Sequence, residues 1–108
     1  MEIIRGTTPK IEINVKSDVD LSTVTQVWIY ITQLGQIVID KVITDVTIDA
    51  AAKKITLQLS QADTLKLKSA LLATFQIRLL LNSGIALATV ATDVSVIEVY
   101  KGGVITNA

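Results

Sequence analysis

Apolar and polar residues alternate with a period of two through most of the chain, and the i, i+3, i+4 spacing of an amphipathic helix is hard to find. Over residues 10–16 the run Lys-Ile-Glu-Ile-Asn-Val-Lys puts Ile11, Ile13 and Val15 on one face and charged or polar groups on the other. That is the pattern of a half-buried strand, with Pro9 at its mouth, where a missing N–H does little harm to a ladder. Residues 54–59 alternate as cleanly, with Ile55, Leu57 and Leu59 inward, and a short strand is expected before them at 46–48. Ser60-Gln61-Ala62-Asp63 matches a capping box with Asp in place of Glu, which predicts one turn of helix through Leu65.

Two hairpins carry glycine turn signals. Segments 27–32 and 36–41 flank Gln33-Leu34-Gly35, which reads as a three-residue loop with Gly35 in the left-handed position of a G1 bulge. In that register Thr32 pairs with Gln36, Ile31 with Ile37 and Ile29 with Ile39, and Val27 completes one apolar face. A two-residue loop would set Asp40 opposite Ile29, so the bulged turn is preferred. Asn82-Ser83-Gly84 repeats this chemistry between 75–81 and Ile85, placing Ile77, Leu79, Leu81, Ile85 and Leu87 together. The final strand, 89–100, changes the face of its apolar residues near Thr92, where a bulge is expected.

Seven short strands, regular turn signals and one short helical turn predict an all-β fold, an antiparallel immunoglobulin-like β-sandwich; a small closed barrel is the alternative. No repeat, linker or low-complexity run divides residues 1–108, so one domain is expected. The preferred register also leaves a surplus. Trp28, Tyr30 and Val38 fall on the face opposite the core, and Leu80, Ala86, Ala88 and Val90 give the second hairpin a similar outer face around Arg78 and Gln76. Trp28, Tyr30, Val38, Arg78 and Leu80 are therefore the candidate interaction surface, because clusters of aromatic and aliphatic groups mark interfaces. The same cluster fits a cover formed by the chain's own ends.

Composition narrows the chemistry. Cysteine and histidine are both absent, which removes thiol nucleophiles, disulfides, the commonest metal ligand and the commonest general base. Ten basic residues balance ten acidic ones, so no net field attracts a polyanion, and nucleic acid is not an expected partner. The most apolar stretch, 70–81, is interrupted by Thr74, Gln76 and Arg78 and falls well short of the ~20 apolar residues that span a bilayer. With no basic n-region or apolar h-region after Met1, neither a membrane nor a secretory signal is expected, and synthesis in the cytoplasm is. Asp18-Val19-Asp20 fails as a calcium loop, since Thr23 stands where glycine is needed, and reads as a solvated turn. Asp45 and Asp49 read as strand-end residues. Lys66, Lys68 and Ser69 are the surviving serine–lysine combination, with the lysines taken as the wet side of an extended segment. No enzyme activity, metal or cofactor is expected.

Several segments resemble small proteins encoded in the structural-gene clusters, tail or baseplate, of bacteriophages and prophages of Gram-positive bacteria. They are Ile4-Arg5-Gly6-Thr7-Thr8-Pro9, Ile31-Thr32-Gln33-Leu34-Gly35, Leu59-Ser60-Gln61-Ala62-Asp63-Thr64-Leu65, Phe75-Gln76-Ile77-Arg78 and Lys101-Gly102-Gly103-Val104-Ile105. The second hairpin is less typical, because Asn82-Ser83-Gly84-Ile85-Ala86 stands where a more acidic, polar turn is the rule. The resemblance implies a virion component or an assembly accessory, with further copies or other virion proteins as partners, and it carries no catalytic residues. Arg5, Gly6, Thr7, Thr8 and Pro9, ahead of the first strand, then form a candidate docking arm; the plainer reading is a solvent-exposed leader. A carbohydrate-binding module, presenting Trp28 and Tyr30 to sugar rings, is the second reading, weakened by an aromatic content of 4%.

Overall fold

The period-two pattern becomes nine strands, one short helix and two 3₁₀ turns in the computed structural model, which describes residues 1–16 and 18–107. The strands are β1 (Glu2–Ile4), β2 (Lys10–Asn14), β3 (Val24–Gln33), β4 (Gln36–Val42), β5 (Val46–Asp49), β6 (Lys54–Gln58), β7 (Ala73–Leu81), β8 (Ala86–Ala88) and β9 (Thr92–Ile97), with α1 (Gln61–Leu65) between β6 and β7. They form two sheets. The larger runs β1-β9-β7-β3-β4, with β8 also paired to β7; the smaller runs β2-β6-β5.

The inward residues of both sheets meet in one core, Val27, Ile29, Ile31, Ile77 and Val94 from the larger and Ile11, Ile55 and Leu57 from the smaller. The fold is thus all-β and sandwich-like. Two strands more than the expected seven have definite origins. Residues 2–4, where no strand is expected, form β1, whose Ile3 is buried, and it pairs parallel to β9, so the larger sheet is not wholly antiparallel. The expected strand 89–100 is shorter and separate from β8. Thr89 bonds Ile77 while Thr92 pairs with Phe75, which leaves one extra residue on the β8–β9 side. The bulge expected near Thr92 therefore lies at Val90 and Ala91, and β9 continues along the other end of β7. There the Thr89 hydroxyl accepts the Ile77 N–H at 3.3 Å, and the Gln76 amide donates to the Thr89 carbonyl at 2.7 Å.

The first hairpin differs from the expected register. Gln33 pairs directly with Gln36, and Leu34 and Gly35 turn the chain with φ of 52° and 71°, the left-handed pair of a two-residue turn whose twist suits a hairpin. The irregularity falls between Ile31 and Thr32, where Val38 is the extra residue on β4. It returns Ile39 to the core opposite Ile31, sends Asp40 outward opposite Tyr30, and places Lys41 opposite Ile29. A tight turn without that bulge would bury Asp40, so the phase correction comes at Val38, within β4, and not at Gly35 in the turn. Ile37 consequently points outward, and Val38 packs toward the core. The second hairpin follows its expected register, with Leu81 bonded to Ile85 around a loop where Gly84 has φ of 86°.

Candidate interaction surface

The outer faces of the two sheets differ in kind. On the smaller sheet, cross-strand rows Lys10–Gln58, Glu12–Thr56–Thr47 and Asn14–Lys54–Asp49 are polar throughout, the ordinary wet side of a half-buried sheet. On the larger sheet the rows read Val42–Trp28–Arg78–Ala88, Asp40–Tyr30–Gln76 and Ile37–Thr32–Thr74–Asp93, with Leu80 and Ala86 beyond them. Trp28 is 49% exposed, Leu80 40% and Val42 39%.

Within this face, the Arg78 guanidinium sits over the Trp28 ring, 5.2 Å from its centroid, where the ring quadrupole favours a cation. A hollow of about 180 Å³ beside them is lined by Gln26, Trp28, Arg78, Leu79, Leu80 and Ala86. Tyr30 is half-buried, and its hydroxyl donates to Gln76 Oε1 at 2.5 Å. Four of the five expected surface residues, Trp28, Tyr30, Arg78 and Leu80, thus share one face. Val38 does not; the bulge turns it to the core and puts Val42 opposite Trp28 in its place. Among the described residues, the chain's ends leave Trp28 half exposed.

The residues of the expected docking arm are fastened to the domain. The Arg5 N–H donates to the Ile97 carbonyl, its Nε to Leu67 O at 2.7 Å and Nη2 to Leu65 O at 3.1 Å, and Nη1 pairs with Glu98. Thr7 O accepts the Thr64 hydroxyl, and Pro9 O accepts the Leu59 N–H. Gly6 lies between these fixed points, and Thr7 and Thr8 are exposed. Arg5 to Pro9 is therefore the crossing from one sheet to the other. Glu98 also accepts from Ser69 and Val99, and these bonds with the Arg5 guanidinium hold its carboxyl below the usual range.

Two polar groups whose roles the sequence pattern does not show, Gln33 and Gln61, and the expected capping residue Asp63 are central to this region. Gln33, read as a turn residue, is buried at the end of β3, donating to Lys68 O and Leu71 O and accepting from Lys68 N. Asp63 closes the capping box with Ser60 and is also paired with Lys41 at 3.1 Å. Gln61 exchanges two hydrogen bonds with the backbone of Ile105. The segments around Arg5, Gln33, Asp63 and Ile105 all clasp α1 and the loop after it. Their physical role is to hold the fold.

The remaining candidates are turn and surface groups. Asp20 accepts from the Ser22 hydroxyl and N–H, and those bonds lower its pKa. Asp45 accepts from Val42 N and Asp49 from Ala52 N. Lys66 and Lys68 are exposed, although Leu65 before them ends α1 and does not belong to an extended segment. Among the described residues, no three His, Cys, Asp or Glu side chains are placed to hold a metal ion, and no helix is long and apolar enough to cross a membrane. No family model matches the chain, and no curated protein matches it.

Proposed function

We propose that this chain is a non-catalytic, immunoglobulin-like structural domain that works by protein–protein association, as a tail or baseplate component of a phage or prophage particle or as an accessory to its assembly. The observation that carries the association is the contrast between the two outer faces. Both belong to one molecule in one solvent, yet one is polar in every row and the other exposes Trp28, Val42, Leu80 and Ile37. An apolar sheet face of that kind marks an interface. The immunoglobulin-like reading is supported by strand order: β2-β6-β5 opposite β9-β7-β3 matches the B-E-D and G-F-C neighbours of that fold, with β4 extending the second sheet as in variable-type domains. The phage assignment rests on the motif resemblance.

The test has two arms. Mass spectrometry of particles purified after induction of the host is expected to find the chain among the structural proteins. Replacing Trp28 by Lys is expected to remove it from the particles while leaving the free protein folded. Undiminished incorporation of the Trp28→Lys chain would exclude this face as the interface. A glycan partner is the weaker reading, because Arg78 already occupies one side of the Trp28 ring on which a sugar would stack.

A further inference from the structure

We infer that the open edge of β8, with the groove between it and β2, takes an extended, uncharged segment of another protein as an added strand. This site goes beyond the outer face around Trp28 and does not depend on it. In the β7–β8 ladder Leu81 N–H donates to Ile85 O and Thr89 N–H to Ile77 O, with Leu80 opposite Ala86, Leu79 opposite Leu87 and Arg78 opposite Ala88. Hydrogen-bonded and non-bonded pairs alternate along an antiparallel ladder. Leu87 therefore spends its N–H and carbonyl on β7, whereas those of Ala86 and Ala88 face away from it. Among the described residues no strand pairs with that side of β8.

Sheet edges are ordinarily guarded against pairing by charges, proline or bulges. Here β1 carries Glu2, β2 Lys10 and Glu12, and β5 Asp49, while β4 carries Asp40, Lys41 and its bulge, with the Val42 N–H taken by Asp45. Residues 85–91, Ile-Ala-Leu-Ala-Thr-Val-Ala, hold no charge and no proline, and their bulge lies beyond β8. Beside this edge a groove of about 510 Å³ opens between the sheets, floored by Ile77 and Leu79 and walled by Leu87 and Val90 on one side and Ile13 and Val15 on the other. That is the size of a binding cleft. Leu87, Ile13 and Val15 are only partly buried, and Val90 is 87% exposed. The charged lining groups, Lys16 and Asp18, are opposite in sign, so the groove favours neither charge.

The backbone identifies the occupant. Donors and acceptors repeating at strand spacing are matched by an extended polypeptide, the basis of recognition by strand addition. The molecule already fills the other half of the same side in this way, since β1 pairs with β9 and Ser95 N–H donates to Met1 O. A strand of about five residues, roughly 17 Å long, lies end to end with β1 when it pairs with β8. Its alternate side chains enter the groove beside Leu87, so the partner segment carries aliphatic residues at every second position.

Amide hydrogen exchange of the intact, isotope-labelled chain, followed by NMR, is the test. The probe is a lysine-capped peptide of alternating threonine and valine, and the control has serine for each valine. Saturating valine peptide is expected to slow exchange at Ala86 and Ala88 by about tenfold or more as free edge amides become ladder amides, and the serine peptide is not. Ala88→Pro removes an edge donor that the fold does not use, a change tolerated at a free edge, and is expected to weaken the valine peptide about tenfold, the scale of one hydrogen bond. Where circular dichroism shows that this variant does not fold, the two peptides decide on the original chain alone. Exchange unmoved by the valine peptide, equal slowing by both peptides, or a folded Ala88→Pro chain that binds as before overturns the site. Slow exchange at Ala86 and Ala88 in the chain alone, lost on dilution, means that a second copy supplies the strand and overturns another protein as the occupant. Trp28→Lys is expected to leave peptide affinity within about threefold; a larger loss puts the peptide on the outer face and overturns the edge.

Discussion

At the scale of single residues, the polar groups that do most for this fold are those buried against backbone. Arg5 spends its guanidinium on the carbonyls of Leu65, which ends α1, and of Leu67 in the loop after it, and on Glu98, so it ties the end of β1, that helix end and the end of β9 together. Lysine has the charge without the planar fork and cannot reproduce the three contacts. Arg5→Lys is therefore expected to cost about 2 kcal/mol in urea unfolding, the scale of lost hydrogen bonds to a charged group. Asp63 makes the matching argument in acid. Burial pushes its pKa up, but the Ser60 amide and the Lys41 ammonium outweigh that and hold the carboxyl below the usual aspartate range. A depressed folded value stabilises fully above the unfolded pKa of about 3.9 and is lost as pH falls through the lower folded value. Thermal midpoints of the original chain should accordingly drop below about pH 4. Those of Asp63→Asn should start lower at neutral pH and converge with the original in acid; curves that stay parallel would show that Asp63 has no such role.

For the elements, the first hairpin is the informative case. Val38 is the surplus residue that lets a two-residue turn coexist with Ile39 in the core and Asp40 outside. Deleting Val38 removes the surplus and leaves every later residue of β4 on its own face, so the loss is limited to the packing of one half-buried valine, about 1–2 kcal/mol. Deleting Asp40 instead keeps the bulge and inverts Lys41 and Val42, a one-residue slip that exchanges faces. Denaturant melts should find the first deletion folded and the second severely destabilised. Equal losses would place the phase correction elsewhere. Lys41 illustrates why the bulge is tolerated: its carbon stem lies on the core side of β4 and its ammonium reaches Asp63 at the rim.

For the whole molecule, two sheets share one core but carry different outer faces, and the proposed association rests on that difference. Substituting an exposed residue such as Trp28 leaves the core untouched, so Trp28→Lys should change Tm by only a few degrees while weakening any association through this face. The same change at Ile29, buried on the opposite side of β3, should prevent folding. A Trp28→Lys chain that unfolds would mean the ring belongs to the core and not to an interface.

The period of two determined most of the strands and their inward residues, because a half-buried strand needs that alternation wherever it pairs. Local chemistry likewise determined the Ser60–Asp63 cap and the loop at Gly84. Only tertiary structure decided where the Val38 bulge lies, since a register shift is set by what the partner strand must bury. It also decided that residues 2–4 become β1 and that Arg5 and Gln33 converge on the loop after α1, because these contacts join residues far apart in the chain. The apolar face around Trp28 was legible in outline from alternation alone. That Val42 replaces Val38 there, and that Arg78 lies over the ring, depended on β3 having β4 on one side and β7 on the other.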